Sequence, residues 1–293
     1  MILMLTAFNY ESPKYLKLKG RVAELNQVMG RIYSSDQVQV RIDAINVSSK
    51  SGGTAVSMKD TLTDPRYRRA TLYGVLLNVA QQLSGINIVM SFGGQFFEGV
   101  LDPKIYGNWI QPIIGIFNML PVIPAYFMLQ KYGRKSILWS CTLGIAIALV
   151  CCGVAQILIA NSVDKTSGGI ASLVFLIIYI ILFELSQGPV TWVYCTEIMT
   201  EQGLTLALSV NQLLTFLTQL LAPVLKENLG GYTFILCAGF SLLAGLFFLF
   251  FLKETKGLSE REVAKLYVPK DYVYANDALE DAEGKLVTDL DHS

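Results

Sequence analysis

The chain has 293 residues, of which 53% are hydrophobic and only 16% are charged, and its 23 basic residues balance 23 acidic ones. With a mean hydropathy of +0.47, this composition excludes an ordinary soluble domain, gives no sign of a nucleic-acid partner and predicts an integral membrane protein. The five cysteines lack CxxC spacing and the single histidine, His292, lies far from them, so we predict no metal site, no cofactor and no disulfide framework.

Residues 1–69 are predicted to be the end of a membrane span followed by a cytoplasmic loop. The opening MILMLTAF is apolar but only eight residues long, as expected for the last turns of a helix that begins upstream. Val22, Leu25, Met29 and Ile32 recur at helical spacing, which predicts a short amphipathic helix on the cytoplasmic surface. We expect this helix to pack under the membrane bundle, with peptide binding as the alternative.

Residues 70–252 contain six apolar runs, each long enough to cross a hydrocarbon layer of about 30 Å as a helix. The predicted spans are 70–96, 108–130, 136–160, 169–195, 203–225 and 231–252. Helices satisfy their own backbone groups in lipid, so the predicted fold class is an all-α membrane bundle. The loops on one side hold only three of the 23 basic residues, so the positive-inside rule places both termini in the cytoplasm.

The first predicted span carries three amides, a serine and a glycine in QQLSGIN (81–87). At about 100° per residue, four residues of this region share one side of the helix: Asn78, Gln81, Gln82 and Gly85. Asn87 would instead face lipid in a straight helix, where an unpaired polar group costs several kcal/mol. We therefore predict a helix break at Gly85 that turns Asn87 toward the same cavity as the glutamines.

The second and fourth predicted spans also carry polar residues on one side. In the second span, Gln111, Gly115 and Asn118 lie within about 60° of one another. In the fourth, FELSQGPVTW (183–192) places Glu184 deep in an apolar run, where an acidic residue costs about 2.5 to 3.5 kcal/mol on insertion scales. A cost of this size usually marks a functional residue.

The residues after Glu184 shape the same side of the fourth span. Gly188 shares the face of Glu184, and Pro189 kinks the helix because it lacks the amide that would bond to the carbonyl four residues earlier. Trp192 lies about 80° from Glu184 and borders the same face. In the fifth span, Asn211 begins a further polar stripe with threonines at helical spacing.

Four spans therefore turn a polar face toward a common interior. Most of these groups are neutral donors and acceptors placed around one carboxylate and one indole. A neutral, polyhydroxylated solute such as a sugar requires that chemistry. The alternative is that the amides and hydroxyls only join helices. Such contacts need one or two groups each, so the whole set favours a solute-binding cavity.

Residues 253–293 are predicted to be a cytoplasmic tail that is largely disordered. Beyond residue 270 the chain holds seven acidic residues against the single basic residue Lys285, with few apolar residues. A segment of this composition cannot bury enough apolar surface to fold.

Five motifs, in order and spacing, resemble the sugar porter family of the major facilitator superfamily. They are ESPKYLKLKGR (11–21), QQLSGIN (81–87), YGRK (132–135), GPVTWVYCTEI (188–198) and KETKG (253–257). The resemblance covers essentially residues 7–258 and corresponds to spans seven to twelve of the family. Any one motif is weak evidence, but the five in sequence are specific.

The resemblance implies the major facilitator fold, a hexose-like substrate and alternating access between two six-helix halves. The positions that match the family's sugar contacts are Gln81, Gln82, Asn87, Asn118, Glu184, Trp192 and Asn211. The match of Asn211 requires a few residues to be absent from the preceding loop. Arg134 and Glu197 match the family's cytoplasmic gate.

Two kinds of departure from the family affect these expectations. The family's acid before the YGRK region is Gln130 here, and the arginine that normally follows the tenth-span glutamate is missing after Glu197. We therefore expect Arg134 and Glu197 to form a weaker latch. The family's first six spans are also not in this sequence, so the chain resembles the C-terminal half of a transporter, with a separate N-terminal six-helix half as a candidate partner.

Two functional hypotheses follow. The first is sugar transport, either facilitative or coupled to protons, with the sugar and the lipid bilayer as the expected partners. The second is a non-transporting membrane protein, either a sugar sensor or an inert fragment, which the missing spans and the altered latch favour. An enzyme is not indicated, because the sequence has no Ser/His/Asp set, phosphate-binding loop or paired interior carboxylates.

Overall fold

The computed structural model describes residues 11, 13–34, 38, 42, 56–94, 109–161 and 165–269. These residues form thirteen α-helices and no strand. The chain divides into two compact units, residues 1–56 and residues 57–293. The predicted opening span remnant and the acidic tail beyond residue 270 lie outside the described residues.

The first unit contains α1 (Pro13–Leu18) and α2 (Val22–Ile32), the predicted amphipathic helix. The buried side of α2 consists of Leu25, Val28 and Met29. Val22 and Ile32, at the two ends of the helix, are 59% and 57% exposed. The buried stripe is therefore shorter than the sequence spacing indicates, and it includes Val28, which the spacing did not mark.

The second unit contains the six helical segments that are long and apolar enough to cross a membrane. They are Pro65–Ser91, Ile110–Lys131, Arg134–Ile159, Ser167–Ile198, Glu201–Leu229 and Tyr232–Phe251. The predicted all-α fold with six spans is thus confirmed. The first span begins and ends five residues earlier than predicted, at Pro65 instead of 70 and at Ser91 instead of 96.

Three of the spans are interrupted, and each consists of two helices. The helices of the second unit, in chain order, are α3 (Met58–Thr63), α4 (Pro65–Leu83), α5 (Ile86–Phe92), α6 (Ile110–Met119), α7 (Val122–Lys131), α8 (Arg134–Asn161), α9 (Lys165–Leu185), α10 (Pro189–Ile198), α11 (Glu201–Leu229), α12 (Tyr232–Phe251) and α13 (Glu260–Lys265). The breaks fall in the first span after α4, in the second after α6 and in the fourth after α9. By contrast, α11 continues unbroken past its internal proline, Pro223.

Helix packing brings the broken spans together. The first span, through α4, packs against α11 and α10, whereas α8 packs between α9 and α12. One apolar core surrounds Leu149, Tyr179 and Phe234, and a second surrounds Leu77 and Tyr194. The polar faces of the first, fourth and fifth spans therefore meet inside the bundle.

The first span starts with a charged cap. Asp64 is the N-cap residue of α4 and accepts a hydrogen bond from the backbone amide of Arg66 at 2.9 Å, and Pro65 occupies the first helical turn. The Arg66 guanidinium also pairs with the Asp64 carboxylate at 2.6 Å. The side-chain hydrogen bonds from Arg66 hold the pKa of Asp64 below its ordinary value of 3.8.

Asp64→Asn should therefore reduce the acid sensitivity of the bundle. A carboxyl with a lowered folded pKa contributes stability above its unfolded pKa of 3.8, and this contribution is lost as the pH falls through the lower folded pKa. Melting temperatures in detergent, measured from pH 6 down to pH 3, should fall less steeply for the variant than for the wild type. Asp60→Asn is the control, and equal pH profiles for wild type and Asp64→Asn would contradict the prediction.

The break in the first span depends on a glycine backbone. Gly85 has a φ of +87°, in the left-handed region, and a Cβ at this position would lie 2.7 Å from the Cys237 sulfur. Ser84 is the C-cap residue of α4 and α5 starts at Ile86, so the two helices meet at Gly85. Only glycine adopts this conformation without strain.

Gly85→Ala should destabilise the bundle by at least about 2 kcal/mol, because alanine in the left-handed region costs about 1 to 2 kcal/mol before any clash is counted. Gly239→Ala is the matched control, since a Cβ there would meet no atom within 4 Å. Thermal unfolding of both variants in detergent tests the prediction. A Gly85→Ala variant as stable as Gly239→Ala would show that the break relaxes without cost.

Candidate functional site

A network of buried amides joins the first span to the fifth. Gln82 donates through Nε2 to the Asn211 Oδ1 at 2.9 Å. The Asn211 Nδ2 donates in turn to the Gln81 Oε1 at 2.8 Å and to the Asn78 Oδ1 at 3.0 Å. All four side chains are at most 5% exposed. Asn211 is therefore the centre of the network, with three amide partners on one facing helix.

The helix break at Gly85 brings Asn87 to the same network. Asn87 lies on α5, after the break, and its Nδ2 donates to the Gln82 Oε1. The same group lies 3.5 Å from the Thr215 hydroxyl of α11. Without the break, helical geometry would direct Asn87 away from Gln82.

The turn between α9 and α10 adds a backbone acceptor. Gln81 donates through Nε2 to the carbonyl oxygen of Gln187 at 2.6 Å. This carbonyl lies in the turn at residues 186–188, immediately before the helix starting at Pro189. The Gln187 side chain is fully buried and donates to the Thr142 hydroxyl of α8 at 3.0 Å. The network thus extends through four spans.

Sequence reasoning did not identify Gln187 or Thr142. Gln187 lies in the same polar segment as Glu184 and only about 60° from it in a straight 100° projection, so helical spacing already placed it near that face. Its position two residues before Pro189 is a further signal, because a proline ends or kinks the preceding helix and so places the residues just before it outside the regular helical pattern. The Gln187 Oε1 and the Thr191 hydroxyl are buried without a hydrogen-bond partner among the described residues.

A second polar set consists of Asn118 and Glu184. The Asn118 Nδ2 donates to the Glu184 Oε1 at 2.7 Å, and both residues are partly buried. Gly188 makes room for the carboxylate, because a Cβ there would lie 2.9 Å from the Glu184 Oε2. Within the described ranges, no hydrogen bond connects this pair to the amide network.

Trp192 is not joined to either set. It is partly buried on α10, and its indole makes no hydrogen bond or ring contact in the part of the chain that the structure describes. The structure therefore places four of the seven expected contact residues in the amide network, two in the carboxylate pair and one apart from both. The seven expected contact residues occupy the first, second, fourth and fifth spans.

A charged cluster lies at the end of the bundle where the third span begins. Arg134 binds Glu197 through its guanidinium at 2.8 Å. The other Glu197 oxygen accepts a hydrogen bond from the Thr255 hydroxyl at 2.6 Å. Glu254 accepts from the backbone amide of Arg134 at 2.7 Å. The expected gate pair is thus held together with the KETKG segment, whose part in the cluster sequence reasoning did not predict.

The chemistry of the network suits a neutral ligand. Carboxamides offer a donor and an acceptor side by side, which matches the adjacent hydroxyl groups of a polyol. Among the described residues, Glu184 is the one carboxylate deep in an apolar span, and it already has a hydrogen-bond partner. Among the described residues, no group of three or more His, Cys, Asp or Glu side chains could hold a metal ion.

Comparison with known proteins gives consistent matches. The family model described as "Sugar (and other) transporter" matches residues 1–267. The chain is 30% identical over 268 residues to Hexose transporter 1 of Plasmodium knowlesi, covering 88% of this chain and 52% of that protein. It is 27% identical over 271 residues to solute carrier family 2, facilitated glucose transporter member 2 of Rattus norvegicus, covering 89% and 50%. The chain therefore spans about half the length of the curated relatives that it matches.

Solved structures show the same fold. The proton:xylose symporter XylE, described as a major facilitator superfamily protein, aligns with a TM-score of 0.73 at 24% identity over 90% of this chain and 56% of that chain. A partially occluded, inward-open form of the xylose transporter XylE from E. coli aligns with a TM-score of 0.67 at 22% identity, covering 86% and 52%. At these identities the likeness concerns the fold alone.

Proposed function

Because the chain belongs to the sugar (and other) transporter family, we propose that it moves a hexose-like sugar across a membrane by alternating access. The protein is an integral, multi-pass membrane protein with six spans, and the matched relatives are transporters rather than enzymes. The observation that carries the proposal is the buried amide network at two helix breaks. Discontinuous helices with convergent polar groups are a common way to build a solute site at the membrane midplane.

The network would bind sugar by exchanging its internal hydrogen bonds for bonds to sugar hydroxyls. Gln82 and Asn87 are the first candidates, because they pair with each other next to the break and Asn87 is only partly buried. Asn118 and Glu184 would contribute a second polar contact, and Trp192 would contribute an apolar ring for the C–H groups of the sugar. Exchange between equivalent hydrogen bonds costs little free energy, which suits a carrier that must also release its solute.

The opening of the site would depend on a second helical bundle. The second and fifth spans are the least buried of the six within this chain, each with 17% of its most apolar window buried. Each therefore offers an apolar surface for another set of spans, in the same polypeptide or a separate one. We place both termini in the cytoplasm by the positive-inside rule, so the Arg134–Glu197 pair would hold the cytoplasmic side closed.

Sugar binding and uptake test the proposal together. Purified chain in lipid nanodiscs should bind D-glucose or D-xylose with a change in tryptophan fluorescence. The chain joined to the part of the Plasmodium knowlesi relative that it does not match should take up labelled hexose in transporter-deficient cells. If a pH gradient drives uptake, the carrier is coupled to protons. If the gradient has no effect on uptake, the carrier is facilitative.

Gln82→Ala is expected to lower both binding and uptake at least tenfold, whereas Asn228→Ala, on the exposed end of α11, should change neither. Binding without uptake in any fusion would favour a sugar sensor. If neither hexoses nor pentoses bind to the correctly folded chain or to its fusion, the proposed function is wrong.

A further inference from the structure

A groove of about 550 Å³ lies beside the start of the first span, and no residue of the amide network lines it. Its walls are largely apolar and include Leu62 of α3, Leu72 and Val75 of α4, and Leu206 of α11. Two arginines, Arg68 and Arg69, also line the groove, together with Thr71 and Tyr73. Apolar walls next to two cationic heads form an amphipathic site, which differs in chemistry from the neutral amide network.

The two arginines have no carboxylate partner in the described ranges. Arg66 is paired with Asp64, and Arg134 with Glu197. In contrast, Arg68 and Arg69 are exposed, and no acidic residue lines the groove. Their positive charge is thus available to an anion from outside the bundle.

The depth of these residues along the span fits a phospholipid. Arg68 and Arg69 lie in the first turns of the span that begins at Pro65, at the level expected for lipid headgroups. Leu72 and Val75 lie further along the same helix, and the rise from Arg68 to Val75 is about 10 Å toward the hydrocarbon. Along the span, the charged residues come first and the apolar wall follows. A phospholipid has the same order, with its phosphate at the surface and its acyl chains deeper in the membrane.

We propose that this groove binds one anionic phospholipid. The phosphate pairs with the Arg68 and Arg69 guanidinium groups, which match phosphate oxygens through paired N–H donors. An acyl chain lies against Leu72, Val75 and Leu206. A free anion would leave the apolar walls without a role, and a neutral lipid would leave the two charges unpaired. The assignment does not depend on the transported solute.

Native mass spectrometry of the purified chain in detergent tests the proposal. Phosphatidylglycerol and phosphatidylcholine with the same acyl chains serve as probes, and inorganic phosphate as a competitor. We expect phosphatidylglycerol to bind about ten- to thirtyfold more tightly, since each interfacial arginine contributes roughly a factor of five. The double variant R68Q/R69Q should lose this preference, whereas R68K/R69K should keep most of it.

Two further variants distinguish lipid binding in the groove from a general attraction of anionic lipids to a basic surface. K131Q/K135Q removes two charges at the same end of the bundle but outside the groove, and should retain the lipid preference. Leu72→Trp fills the apolar wall and should weaken both lipids. Equal loss in K131Q/K135Q, or equal binding of the two lipids to wild type, would overturn the proposal. Full displacement by millimolar phosphate would instead show a free-anion site, and a melting curve for each variant verifies its fold.

Discussion

Asn211→Ala should abolish measurable sugar binding and lower the free energy of unfolding by about 2 kcal/mol, taking about 0.6 kcal/mol for each interhelical hydrogen bond in a membrane protein. Asn211 accepts from Gln82 and donates to Gln81 and Asn78. Its removal leaves three buried amide atoms without partners. The glutamines would then lose the orientation in which they can meet a ligand, so the effect on binding exceeds the effect on stability.

Titration of sugar against tryptophan fluorescence, with thermal unfolding on the same samples, measures both effects of Asn211→Ala. Asn228→Ala is the matched control, because Asn228 is on the same helix but only bonds to the carbonyl of Val224 within its own helix. Asn211→Asp keeps the side-chain shape and the acceptor oxygen but lacks the Nδ2 donor. It therefore tests whether sugar binding needs that donor. Normal sugar affinity in Asn211→Ala would show that the network only joins helices.

Glu184→Ala should weaken sugar affinity by at least tenfold, and Glu184→Gln by clearly less. The carboxylate is held by Asn118 at 2.7 Å, and a hydrogen bond to a charged group is worth about 1.5 to 3 kcal/mol. Glutamine keeps an acceptor for Asn118 but lacks the charge. The difference in sugar affinity between the two variants therefore separates the contribution of the hydrogen bond from that of the charge.

A double-mutant cycle with Asn118→Ala measures whether the pair acts as one unit. We expect a coupling free energy of about 1 to 2 kcal/mol in sugar binding, within the range for residues in direct contact. Glu227→Ala, which removes an exposed carboxylate near the end of α11, provides the control. Additive effects of Glu184→Ala and Asn118→Ala would argue that the pair is outside the binding site.

The sequence determined the parts of this protein that depend on local chemistry. Six spans follow from the length and apolar character of each run, because lipid forces every span to satisfy its own backbone. The break at Gly85 also follows from local information, since a straight helix would direct Asn87 to lipid and a glycine was available to bend the chain. The family resemblance rests on the order of five motifs, which is likewise a property of the sequence.

Only the tertiary structure decided which of these groups meet. Helical periodicity assigns a residue to a face, but it fails where the helix is interrupted, and Gln187 in the turn before Pro189 supplies a carbonyl to Gln81 that no projection predicts. Periodicity also gives no distance between faces. The structure consequently separates the Asn118–Glu184 pair from the amide network, because helix crossing and the positions of the breaks, rather than residue spacing, set which side chains come within hydrogen-bond reach.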